Sequence, residues 1–120
     1  MNNFNLLLDK YKEFDIKISK KDSENIYLPV KLESANKLFD VDTSNIYISD
    51  DNYDFLEETT LIKEFNTNDM FLRPYYVSYI SYNIILGSIN SYSRLKYSVN
   101  CRNYFYTLSG KAEVTLCSPN

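Results

Sequence analysis

The first half of the chain switches between two hydrophobic periods, and each switch marks an element. Phe4, Leu7, Leu8 and Tyr11 recur at i, i+3, i+4 and i+7 between Asn2 and Phe14, which predicts a short amphipathic helix with Asn2 or Asn3 as its N-cap. Asp15 to Ser19 and Asn45 to Ser49 then alternate polar and apolar residues, so each predicts a half-buried strand. Ile26 to Val30 is strand-like as far as Pro29, which fits an edge or a strand end. Leu32, Ala35, Leu38 and Phe39 return to helical spacing. From Asp51 onward Phe55, Leu56, Leu61, Ile62 and Phe65 share one helical side, with Asp50, Asp51 or Asn52 as cap. Asp54, Glu57 and Glu58 in the early turns suit the positive end of the helix dipole, which gives them a solvated, structural role.

Pro74 ends the helical pattern and biases Arg73 toward extended backbone. Beyond it the sequence reads as strand almost to its end: Tyr75 to Leu86, Arg94 to Val99, Asn103 to Leu108, and Ala112 to Leu116. The last two are joined through Ser109-Gly110-Lys111, a hairpin whose glycine is expected at positive φ. Gly87 closes the long strand. With 120 residues and no linker, repeat or low-complexity tract, the chain reads as one domain, in which a mixed helical region over 1–70 packs on an antiparallel β unit over 71–120.

Composition narrows the chemistry. There is no histidine, which excludes Ser-His-Asp and Cys-His centres, histidine-ligated metals and an unperturbed group titrating near neutrality. A net charge of -3 and a pI near 4.9 give no global attraction to nucleic acid or an anionic membrane. No apolar stretch is long enough to span a bilayer. Nothing at the N-terminus has the layout of a signal peptide, and two cysteines are too few for a disulfide scaffold. The expectation is a cytoplasmic chain with reduced thiols, Cys101 and Cys117 serving packing. The many tyrosines, among them Tyr75, Tyr76, Tyr79, Tyr82, Tyr92, Tyr97, Tyr104 and Tyr106, are expected as half-buried strand residues. Their rival role is to stack bases beside a basic strip of Arg94, Lys96, Arg102 and Lys111.

The run Leu72-Arg73-Pro74, Gly87-Ser88, Tyr97 through Lys111 and Val114 through Pro119 resembles the first half of a jumonji C-type domain. These domains have the cupin-like double-stranded β-helix fold of iron- and 2-oxoglutarate-dependent protein hydroxylases. The spacing from Asn103-Tyr104-Phe105 to Gly110, and from Gly110 to Pro119, is the most specific part. The resemblance implies a partial cupin-like barrel of about four to six antiparallel strands with helices packed outside, so the fold class is mainly β within α+β; a full barrel needs roughly eight strands.

It also implies where an iron site belongs. The family's first two ligands, a histidine and a carboxylate two residues on, fall at Tyr97 and Val99. A phenolate can bind ferric iron, but valine has no donor atom, and the third ligand would lie beyond Asn120. Asn103 matches a position lining the 2-oxoglutarate pocket. The family's lysine falls at Ala112, leaving Lys111 one residue early and on the opposite face of a regular strand, with Arg102 or Arg94 as substitute anion partners.

The leading expectation is therefore a jumonji- or cupin-like module without an intact Fe(II) site. It would bind or support rather than catalyse, need no cofactor of its own, and have its sheet completed by self-association or a partner chain. The enzyme-class alternative is the N-terminal part of an Fe(II)/2-oxoglutarate-dependent oxygenase whose remaining ligands lie downstream. A single-stranded nucleic-acid binder is the third reading.

Overall fold

A small antiparallel sheet carries helices from three separate stretches of sequence. The computed structural model describes residues 3–21, 26–93 and 102–118. Helix α1 (Asn3–Tyr11) leads into strand β1 (Asp15–Lys20); β2 (Leu28–Lys31) runs directly into α2 (Leu32–Val41). Strand β3 (Tyr47–Ser49) precedes helices α3 (Tyr53–Glu58) and α4 (Leu61–Asn68), then a single 3-10 turn, Met70–Leu72, and the two-residue strand β4 (Leu86–Gly87). The strand order is β2-β1-β3-β4 with every pair antiparallel. The fold is α+β, and its helices hold more of the described residues than its strands.

Burial explains why the early pattern became structure. Ile16 and Ile18 place their side chains on one face of β1, and they join Tyr11, Leu32, Ala35, Phe55, Leu56 and Leu61 in the core. Ile84 is the one buried hydrophobic residue after Leu61 among the described residues. The rings of Tyr11 and Phe55 meet edge to face at 6.4 Å, an arrangement favoured by the aromatic quadrupole.

The sheet's outer edge is blunted. The Lys17 N–H donates to Asn52 Oδ1 at 3.2 Å, so it points away from β2, and Pro29, directly opposite Lys17, turns its own nitrogen outward. Proline there removes an outward donor that a further strand would need. Toward β3 the ladder continues as Lys21 N–H donates to the Ile46 carbonyl at 2.9 Å. At the far side Gly87 is required by close approach: a Cβ there would sit 1.9 Å from Ser91 Oγ and 2.9 Å from Ser91 Cβ.

Two expectations for the helices change. The pattern from Asp51 divides into α3 and α4 at Thr60, which adopts φ 62°, an unusual left-handed conformation for a β-branched residue. Asn52 occupies the N-cap position of α3, but its side chain makes no cap bond. It turns to the sheet, accepting from Lys17 N–H and Ser49 Oγ and donating to the Ser49 and Ile84 carbonyls. Its backbone N–H donates to Asn83 Oδ1 at 3.0 Å.

The expected C-terminal β unit is the largest difference. Within Tyr75 to Leu86 only Leu86 enters a strand, and residues 102–118 contain no assigned strand. The expected strand at Arg94 to Val99 lies outside the described residues. Aromatic and β-branched residues give extended backbone, but a ladder also requires a neighbour, and among the described residues only the two-residue β4 of this half pairs with the strands of the first half. Gly110 does have the expected positive φ, 77°.

Candidate functional site

Pro74 to Ser81 forms a loop whose two ends are tied to one carboxylate. Arg73 Nε and Nη2 donate to Asp69 Oδ1 at 3.1 and 2.8 Å, and the Tyr82 hydroxyl donates to Asp69 Oδ2. Arg73 Nη2 also donates to the Asn66 carbonyl at 2.8 Å and to Asn66 Oδ1. The Tyr82 ring packs against Phe65 at 6.0 Å. Asp69 ends α4, and Pro74 forces the chain away from it, so the local sequence itself creates the pinned base.

The loop displays its rings. Tyr75 and Tyr76 are 91 and 86% exposed, and they stack edge to face at 4.7 Å. Tyr79 is exposed as well. A second segment adds exposed Tyr104, Phe105, Tyr106, Val114 and Leu116, and the Tyr104 hydroxyl anchors it by donating to the Leu72 carbonyl at 3.0 Å. Among the described members of that set half-burial holds for Tyr82 only; Tyr75, Tyr76, Tyr79, Tyr92, Tyr104 and Tyr106 face solvent. Large exposed apolar residues gathered in two stretches of chain suggest an interaction surface, and loops on a fixed base are where such surfaces concentrate.

Asp69 controls the base electrostatically. Burial works to raise its pKa, but hydrogen bonds from Tyr82 and Arg73 together with the arginine charge outweigh burial and hold it below the ordinary 3.8. Burial, then the bond to Asp69, raises the Tyr82 phenol. A carboxyl depressed on folding contributes stability above its unfolded value, and that contribution is lost as pH falls through the folded value. The clamp is therefore expected to hold at neutral pH and release below 3.8. Tyr82 ring resonances followed by NMR should titrate in that window, and Asp69→Asn should abolish the titration while raising amide exchange in 74–81.

The sequence-derived site residues fall partly among the described residues. Arg102, Asn103 and Lys111 are exposed on either side of the Gly110 bend. Tyr97, Val99, Arg94, Lys96 and Cys101 lie outside the described residues. Cys117 is exposed rather than serving packing. Among the described residues no three His, Cys, Asp or Glu side chains gather as metal ligands, and no helix is long and apolar enough to cross a membrane. The Asp69 clamp escaped sequence reading because its members are polar residues spread from 66 to 82; the one signal was Arg73-Pro74 placed one turn after a capping-type Asn68-Asp69 pair.

No family model matches the chain, and neither a curated protein nor a solved structure was found similar to it.

Proposed function

We propose that this chain is a non-catalytic binding module that pairs with a second copy of itself through its aromatic C-terminal half. The observation that carries the reading is the uncovered apolar surface of the 74–81 loop and the 102–118 segment, held in place at Asp69 and Leu72. Charge does not oppose the pairing: the loop is uncharged and the segment carries only Arg102, Lys111 and Glu113. Proline at the β2 edge and the brevity of β4 argue against pairing through the existing sheet. A closed two-fold dimer uses the same patch on both copies and so needs no third partner to cover it.

In this proposal the jumonji-like, cupin-like resemblance describes a half-barrel whose last strands form on association, with residues 103–108 and 112–116 acquiring ladders around the Gly110 bend. The degenerate ligand positions Tyr97 and Val99 favour binding over iron chemistry. An anaerobic Fe(II) titration with 2-oxoglutarate separates this from the oxygenase alternative: a stoichiometric metal-to-ligand band from this chain would overturn the non-catalytic reading. Nucleic acid is disfavoured as partner by the acidic balance of the chain.

Sedimentation equilibrium tests the pairing. The expected mass is twice 14.1 kDa at micromolar concentration, falling to the monomer in a Tyr76→Ser/Phe105→Ser variant whose circular dichroism is unchanged. A monomer at every concentration would overturn it.

A further inference from the structure

Between α3–α4 and the returning end of the loop lies an open cleft of about 300 Å³, lined by Tyr53, Ile62, Lys63, Asn66, Ile80 and Tyr82. The size is at the lower limit of small-ligand sites. Two rings and two isoleucines make its walls apolar, while its polar groups are donors. Among the described residues the Lys63 ammonium has no ion-pair or hydrogen-bond partner. Asn66 is oriented by Arg73, whose guanidinium takes its Oδ1, and that leaves the Asn66 amide N–H groups without an acceptor among the described residues.

From these groups we infer that the cleft binds a monoanionic aromatic or aliphatic carboxylate, its apolar body against Tyr53, Ile62, Ile80 and Tyr82 and its carboxylate on Lys63 and Asn66. An ammonium and an amide donor suit a carboxylate's two oxygens. A more highly charged anion fits poorly, because the phenols of both wall tyrosines already donate to carboxylates, Tyr53 to Glu57 at 2.9 Å and Tyr82 to Asp69. Free carboxylic acids and the C-terminal residue of a peptide share this chemistry.

The cleft shares Ile80 with the loop proposed to pair, so the proposal is tested both on the full chain and on the Tyr76→Ser/Phe105→Ser variant by NMR titration with N-acetylphenylalanine, its neutral amide, and 3-phenylpropionate. Saturable shifts at residues 62, 63, 66, 80 and 82 are expected for N-acetylphenylalanine, with a Kd on the order of a millimolar for so few atoms. The amide should bind about tenfold more weakly, the scale of one charge-assisted contact. Lys63→Gln should remove the preference for the carboxylate, and Lys63→Arg should restore it; Lys63 is exposed, so neither change threatens the fold. Equal binding by phenylpropionate points to free acids, and tighter binding by N-acetylphenylalanine to a peptide terminus. No saturable shift, equal affinity for the amide, or an unchanged preference in Lys63→Gln overturns the proposal.

Discussion

Asn52→Ala is expected to destabilise the protein by about 3–4 kcal/mol, a large share of a small domain's stability. The residue is 2% exposed, beside Ser49 at 0%. Its carboxamide joins elements that are remote in sequence: β1 through Lys17, β3 through Ser49 and the β4 strand entry through Ile84. Alanine leaves those groups facing a void with their donors and acceptors unmet, and each such buried group costs roughly 1–3 kcal/mol before water relieves part of it. Asn52→Asp should cost at least as much at neutral pH, since it puts a carboxylate against the Ser49 and Ile84 carbonyls. Urea unfolding midpoints for the two variants check both expectations; an alanine variant within about 1 kcal/mol of wild type would show that the hub is dispensable.

Phe55→Ala is the second large effect, with an expected loss of about 3–5 kcal/mol. Phe55 is 2% exposed, and its ring contacts Tyr11 across the core. Its removal leaves a cavity between α1 and α3 that cannot collapse without moving Leu56, which is fully buried on the same helix. The contrasting substitution is Tyr76→Ala, where an equally aromatic but exposed ring should change stability by no more than about 0.5 kcal/mol. Thermal melts of the two variants measure how the molecule is divided: its stability resides in the first half of the sequence and its displayed surface in the second.

That division was only half legible. In β1 the alternation of Ile16 and Ile18, and in α2 the spacing of Leu32 and Ala35, announced side chains that are buried, because local period and tertiary contact agree there. The break at Thr60 gave no signal, since a threonine at φ 62° contradicts its own preference. Asn52 could be read as a cap but not as a hub, because apart from Ser49 its partners lie 31 to 35 residues away. The tyrosines of the C-terminal half read as strand for a sound reason, their propensity, yet a strand is a relation between two segments. The Asp69 clamp and the carboxylate cleft depend likewise on which polar side chains the fold brings together.

Hydrogen exchange at two protein concentrations tests the central proposal of pairing through the aromatic half most directly. Amides of 104–106 and 112–116 are expected to exchange rapidly in dilute solution and to gain protection as concentration rises, while those of β1, β3 and the core helices stay equally protected throughout. Exchange in 104–116 that is the same at every concentration would contradict it.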